Sequence, residues 1–293
     1  MPLPPASQTA VDRTLARRIE TALATRALAA RPLAGGSTVA VLAVDLADGT
    51  RVVAKWGDGM QELEAWMLAE LARRSDLPLP AVRHVEPGLL LLDHVPHEAG
   101  LPGPDVWRHA ADLLAALHAI PQPRFGFGRD TAIGRLAQPN PQGESWVAFF
   151  RDHRLLHMAR EGHREGTVGA DLLRRLEALA GRLEQWLDEP AHPALLHGDV
   201  WPGNMLHRAG RLAALIDPAI SCGHPELEMA YPTMFTGYDP AFLARYGEHR
   251  PIDPGFFEIR REIYLIYPRL VHVRYWDTAY ARPILATLDR LGL

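Results

Sequence analysis

The texture of the chain changes at Asp93. Before it, short β-branched or apolar segments alternate with turn signals; after it, long segments carry apolar residues at helical spacing. A chain of 293 residues is too long for one small core and suits one large or two coupled globular domains. The expected class is therefore α+β, with a small β-rich unit over residues 1–93 and a larger, mainly helical unit over residues 94–293. In the first part, residues 8–30 predict a helix with Leu15, Ile19, Leu23 and Ala27 on one face. Residues 39–44 predict a strand, Asp48-Gly49 a hairpin turn because both residues tolerate positive φ, and Arg51–Trp56 the returning strand. Residues 61–73 predict a helix ended by Pro78 and Pro80, and residues 82–85 and 89–92 two further strands parted by Pro87-Gly88. In the second part, residues 105–120, 145–160, 170–187 and 254–280 read as helices. Asp253 and Pro254 suit the start of the last, and Pro268 predicts a kink within it. Residues 195–220 form an island of loop and strand among these helices.

That island carries the chemistry. It reads Leu195-Leu196-His197-Gly198-Asp199-Val200-Trp201-Pro202-Gly203-Asn204, followed by the apolar run Leu212-Ala213-Ala214-Leu215-Ile216 ending in Asp217-Pro218. The pattern H-G-D-x-x-x-x-N, then an apolar strand ending in Asp, resembles the catalytic loop and metal-binding Asp of the protein-kinase-like superfamily. Phosphoryl transfer needs an acceptor hydroxyl oriented and relieved of its proton. A carboxylate five residues before an amide lets one loop hold both that nucleophile and a Mg²⁺ ion, while a second carboxylate grips metal bridging the phosphates. Asp199 is thus the candidate base, and Asn204 and Asp217 the candidate metal ligands. The tripeptide alone is common and is more often a turn; the longer match is specific. Asn204 is one of only two asparagines in the chain, and Asp217 ends a run where a lone acid is otherwise unfavourable.

Of 31 Lys and Arg residues, only Lys55 is a lysine. In such an arginine-rich background, a lone lysine marks a place where a compact ammonium does what a planar guanidinium does not. Lys55 lies on a predicted strand, suited to the α and β phosphates of ATP. Glu64 on the next helix is a candidate ion-pair partner; Glu62, two residues away on another side of the helix, is the alternative. Gly35-Gly36-Ser37, between two strand-like segments, would let backbone N–H groups approach phosphate, although a Gly-Gly-Ser hairpin is also ordinary. Leu92, Asp93 and His94 form the expected hinge, reading adenine through main-chain groups.

The formal net charge of −4 lacks the basic excess of a nucleic-acid binder. A single cysteine, Cys222, excludes an intrachain disulfide. The first residues show no basic-then-apolar signal pattern, and the longest apolar runs are too short for a bilayer, so a cytoplasmic protein without a membrane partner is expected.

Beyond the loop, the chain resembles the fructosamine (ketosamine) kinases, a branch of the aminoglycoside- and choline-kinase-like enzymes, over roughly residues 9–290. The resemblance is carried by Leu117-His118, Phe125-Gly126-Phe127, Gln138-Pro139-Asn140, Trp146 to Phe150, Arg154-Leu155, Ile216-Asp217-Pro218-Ala219, Gly223-His224, Glu226, Glu228, Met229-Ala230, Met234-Phe235 and Gly237. It implies a protein-kinase-like bilobal fold and transfer of the ATP γ-phosphate, with Mg²⁺, to the 3-hydroxyl of a ketosamine, whose phosphorylated adduct then releases the amine. The loop departs in Val200 and Pro202, where relatives often carry Leu and Ser, and the interval from Lys55 to Glu64 is short. Gly35-Gly36-Ser37 lacks the cysteine of redox-regulated relatives. Trp201 is read either as a stacking surface for the sugar or as a core tryptophan. Asn140 and Gln138 either shape the acceptor side or tie the lobes together. A kinase for another small alcohol (an aminoglycoside, choline or a sugar) and a catalytically dead binding protein are the competing readings. The presence of Lys55, Asp199, Asn204 and Asp217 speaks against the second. The oligomeric state is left open; a monomer is compatible.

Overall fold

The structure, a computed structural model, describes residues 11–33 and 39–293. Gly35, Gly36 and Ser37 lie outside the described residues. Two compact units are present. The first comprises the described residues up to Gly100 together with Met205–Pro218; the second comprises Leu101–Asn204 and Ala219–Leu293.

In the first unit, Asp12 caps helix α1 (Arg13–Leu23) by accepting the N–H groups of Thr14 and Leu15 at 2.9 and 3.1 Å. The helix stops where Ala24 turns to φ 54° and its N–H closes onto Glu20 O. The alanine-rich stretch that follows, expected to continue the helix, is instead strand β1 (Ala27–Pro32), paired antiparallel with β2 (Ala40–Leu46). Alanine tolerates either conformation, and here the β2 edge captures it. Asp48 accepts the Thr50 N–H at 2.9 Å and Gly49 sits at φ 84°, making the predicted hairpin into β3 (Arg51–Trp56). Helix α2 (Gln61–Arg74), β4 (Val82–Glu86) and β5 (Leu89–Asp93) complete an antiparallel sheet of order β1-β2-β3-β5-β4. The run of four leucines in β5 is explained by its burial on both faces. Leu89 and Leu91 pack with Leu15, Ile19, Val44 and Ala54, whereas Leu90 and Leu92 pack with Ala65 and Leu68 of α2. A hairpin from far along the chain, Met205–Arg208 with Arg211–Leu215, joins this unit. Ala209 and Gly210 turn it at φ 50° and 72°, the twist that two-residue hairpins favour. Leu215 N–H donates to Pro78 O at 2.9 Å, and Glu98 N–H to His207 O at 2.8 Å.

The second unit is mainly helical. Helix α3 (Pro104–His118) is followed by α4 (Trp146–Phe150), a π turn Arg151–Leu155, and α5 (Leu156–Arg164), so the expected helix over 145–160 is interrupted at its middle. Helix α6 (Ala170–Ala180) ends short of residue 187, which a 3₁₀ turn approaches instead. Then come α7 (Pro225–Ala230), α8 (Ala241–His249), α9 (Arg261–Tyr275) and α10 (Ala281–Arg290). Asp253 accepts the Gly255 N–H at 2.8 Å as expected of a cap, and α9 follows a π turn and stops at Tyr275 rather than 280. Short strands Ala194–Leu196 and Ser221–Gly223 pair antiparallel and flank the loop that carries Asp199. No helix among the described residues is long and apolar enough to cross a membrane.

Candidate active site

In the first unit, strand β3 delivers Lys55 inward, leaving it 9 % exposed. Its Nζ lies 2.5 Å from Glu64 Oε1 and also donates to Asp217 Oδ1. Glu64 stands in the first turn of α2 and points to Lys55; Glu62 lies on the exposed side of the same turn. Burial alone would lower the Lys55 ammonium, but the two carboxylates outweigh it and hold the group protonated well above its ordinary range. Glu64 feels the converse. Burial, helped by the Asp217 charge, raises its carboxyl against the pull of Lys55. Asp217 arrives at the end of the Arg211–Leu215 strand with φ 55°, an uncommon conformation for a residue with a side chain. Its own side chain is 41 % exposed, so one carboxylate edge is accessible beyond the lysine.

The expected hinge residues end β5. Leu92 pairs with Val53, and Asp93 N–H donates to Ala81 O at 2.9 Å while its carboxylate pairs with Arg83. His94 is half-buried, and burial holds its imidazole below the usual range.

In the second unit, Asp199 follows a turn that only glycine can make. Gly198 sits at φ 89°, and a Cβ there would lie 2.1 Å from Ala219 O. Gly198→Ala is therefore expected to cost about 1–3 kcal/mol in backbone strain alone, with the steric clash added, read as a lower denaturation midpoint and reduced turnover. Two further bonds fix the turn: Ala219 N–H donates to His197 O at 2.8 Å, and Gly198 N–H to Glu228 Oε1 at 2.5 Å. Glu228 also accepts from His197 N–H at 3.3 Å and lies 2.8 Å from His118 Nε2, whose Nδ1 meets Tyr246 OH at 2.8 Å. Burial would raise the Glu228 carboxyl, but His118 and these donors prevail and hold it low, so it remains an acceptor.

The Asn204 side chain donates Nδ2–H to Asp199 Oδ2 at 2.8 Å and to Asp199 O at 2.9 Å. Its amide oxygen is thereby turned away from the carboxylate. Tyr231 is buried, and burial and the charge of Asp199 raise its phenol well above the ordinary value. Trp201 is half-buried, stacked on Phe235 at 5.0 Å and 28°, and its six-membered ring lies across Gly203, where a Cβ would come within 2.2 Å.

Asn140, read from sequence either as shaping the acceptor side or as tying the lobes together, sits in a buried network. It is 1 % exposed; its Oδ1 accepts from Arg154 Nη2 at 2.6 Å and its Nδ2 donates to Thr131 Oγ1 at 2.7 Å. Gln138 belongs to the same buried network, accepting from Tyr267 OH at 2.6 Å and donating to Ala219 O at 3.0 Å, next to the Gly198 turn. Arg154 is buried there without a carboxylate in hydrogen-bond contact, and burial draws its guanidinium down to about 10. His224 caps α7 by accepting the Glu226 N–H at 3.0 Å; burial and the Arg260 charge push it down to about 3, so it is a neutral structural histidine. Glu228, His118 and Tyr231 had no role assigned from sequence. The available signal was the acidic pair Glu226 and Glu228 in an otherwise apolar turn.

The antiparallel-sheet unit and mainly helical unit together define the α+β protein-kinase-like fold. Aminoglycoside phosphotransferase APH(4)-Ia shares it, with a TM-score of 0.67 at 17 % identity over 94 % of this chain and 99 % of that one. Within that fold the chain belongs to the fructosamine kinase family, whose sequence profile matches residues 51–292. A Thermobifida fusca YX-ER1 protein named as a fructosamine-3-kinase superposes with a TM-score of 0.83 at 27 % identity, over 94 % of this chain and 97 % of its own. A probable ketoamine kinase of Synechocystis is 33 % identical over 62 % of this chain and 61 % of its own length. A chloroplastic protein-ribulosamine 3-kinase of Oryza sativa subsp. japonica is 30 % identical over 60 % of this chain and 52 % of its own. The chain thus spans about three fifths of the Synechocystis relative and half of the rice one.

Proposed function

We propose that the protein is an ATP-dependent kinase that phosphorylates a sugar hydroxyl, the 3-hydroxyl, of ketosamines such as fructosamine or ribulosamine, in a deglycation role. The observation that carries the reading is the Asp199 carboxylate held by the Asn204 amide at 2.8 Å, in a chain of the fructosamine kinase family. Membership of that family, and the rice relative's name, favour a ketosamine over an aminoglycoside or choline as acceptor.

Each set of residues has a distinct part. Lys55, kept cationic by Glu64 and Asp217, supplies the compact positive charge that contacts the α and β phosphates of ATP. Asp199 orients the acceptor hydroxyl and takes its proton as the acceptor oxygen bonds to the γ-phosphorus. The bond from that phosphorus to the β,γ-bridging oxygen breaks, and its electron pair leaves with ADP. The proposed Mg²⁺ ligands suit that ion by chemistry. Both the Asn204 amide oxygen and the exposed edge of Asp217 are hard oxygen donors. No cluster of three or more His, Cys, Asp or Glu occurs among the described residues, and Mg²⁺ characteristically takes one or two carboxylates, completing its shell with phosphates and water. When bound, the metal supplies charge neutralisation at the phosphates.

ADP release with ATP and Mg²⁺ is measured against a fructosyl amine, a ribulosyl amine and the parent amines and sugars. Turnover that requires both the ketose and the amine linkage is expected. Equal turnover of unrelated alcohols, or turnover of a different alcohol alone, would sink the ketosamine assignment.

A further inference from the structure

We infer that Gln138 is a positioning residue for Asp199, acting through the main chain of Ala219; the inference rests on the kinase reading above. Gly198, the residue before the base, sits so close to Ala219 O that a Cβ there would come within 2.1 Å of it. Ala219 N–H donates to His197 O at 2.8 Å, one residue earlier in the same turn. The turn that presents Asp199 is therefore seated on Ala219. Gln138 Nε2 donates to Ala219 O at 3.0 Å, and Thr131 Oγ1 donates to the next carbonyl, Ile220 O, at 3.0 Å. Two successive carbonyls under the turn are thus held by side chains.

Those side chains belong to a closed ring of five residues, none more than 4 % exposed. Gln138 Nε2 also donates to Thr131 Oγ1 at 2.8 Å, and Asn140 Nδ2 donates to the same oxygen at 2.7 Å. Arg154 Nη2 donates to Asn140 Oδ1 at 2.6 Å, and the Arg154 guanidinium lies 5.8 Å from the centre of the Tyr267 ring. Tyr267 OH closes the ring by donating to Gln138 Oε1 at 2.6 Å. Both N–H donors of the Gln138 amide are used, and the Thr131 hydroxyl donates once and accepts twice, its full capacity. Reversing the amide would set Oε1 against Ala219 O, so Tyr267 fixes which end of Gln138 faces the loop. Arg154 comes from the π turn Arg151–Leu155, a departure from α geometry that is frequent at functional sites. Its other hydrogen bonds go to Pro139 O and His153 O, at 2.8 and 2.9 Å. Burying a guanidinium on neutral partners carries a desolvation cost that an apolar side chain of like size would not. What the charge supplies is direction: it orients the Asn140 amide, which with Gln138 orients the Thr131 hydroxyl toward Ile220 O.

The test is Gln138→Met in the full chain, which keeps the length of the side chain and removes its hydrogen bonds. The bond lost to Ala219 O joins neutral groups, so kcat is expected to fall about three- to tenfold, with the KM for ATP within twofold of wild type, assayed well below the melting temperature. Unchanged kcat would overturn the inference, as would a raised KM for ATP or for the acceptor at constant kcat, which would make Gln138 part of a binding wall. Tyr267→Phe keeps the ring beside Arg154 and should lower kcat by less, about two- to threefold. The double variant should be no slower than Gln138→Met alone, because the phenol acts through the amide; additive losses would overturn that route and the inference with it. The kinetics are read on whichever alcohol the wild type phosphorylates, so failure of the ketosamine panel leaves them intact. Amide hydrogen exchange of the wild type needs neither a variant nor an acceptor. The Ala219 amide is expected to exchange as slowly as those of the Ser221–Gly223 strand; exchange at the rate of an exposed loop would overturn the positioning role.

Discussion

Asp199→Ala is expected to lower turnover by about a hundred- to ten-thousandfold, the range that a general base supplies, while leaving nucleotide affinity within a few fold. The asymmetry follows from the partners of Asp199. Its carboxylate meets the Asn204 amide, whereas the lysine that would hold phosphate is paired with Glu64 and Asp217. Removing the base therefore leaves the cationic contact to the nucleotide in place. Steady-state ADP release and equilibrium nucleotide binding, measured on the same sample, separate the two. Retained turnover would refute the base assignment, and a parallel loss of binding would mean that Asp199 serves the nucleotide instead.

Lys55→Ala is expected to act in the opposite manner, raising the KM for ATP at least tenfold and lowering stability. Glu64 would remain buried near Asp217 with no cation between them. Breaking a buried pair costs about 3–5 kcal/mol; the low end applies here because Asp217 is 41 % exposed and partly screened. The loss depends on pH. In the wild type, the raised lysine contributes stability that is present below its unfolded value and is lost only as pH rises through the still higher folded value, so its contribution is level across neutral pH. In the variant, the Glu64 carboxyl, already raised by burial, loses the lysine that opposed that rise. A raised carboxyl favours the folded state at low pH and loses that favour as pH climbs through its folded value. The variant should thus melt closer to wild type at pH 5 than at pH 8. A constant difference between the two would argue against an uncompensated Glu64. Lys55→Arg keeps the charge but not the compact ammonium, and should spare stability more than nucleotide affinity.

What could be read from the sequence followed from rarity and fixed spacing. Lys55 was conspicuous as the sole lysine, and Asn204 as one of two asparagines five residues after an acid. Asp48-Gly49 declared its hairpin because positive φ has few residues to supply it. Where local chemistry was permissive, the sequence misled. The alanines of β1 suit a helix as well as a strand, and only the pairing with β2 decides between them. The apolar spacing through 145–160 hides a π turn. The other asparagine, Asn140, serves a buried network with Arg154 and Thr131. The contacts of Glu228 with His197 and Gly198, and of His118 with Glu228, span about thirty to more than a hundred residues. No periodicity or short motif encodes such pairs.

The first unit borrows Met205–Pro218 from beyond most of the second. During synthesis, at about 5–20 residues per second, the sheet therefore emerges on the order of ten seconds before the hairpin that completes its unit. Throughout that interval Lys55 has Glu64 within reach, but Asp217 has not yet been made. A stop codon or proteolytic cut after residue 100 would leave the sheet without the hairpin that leads to Asp217, so the first unit cannot be obtained whole from an N-terminal fragment. A circularly permuted or spliced chain that restores residues 205–218 would be needed to study it alone.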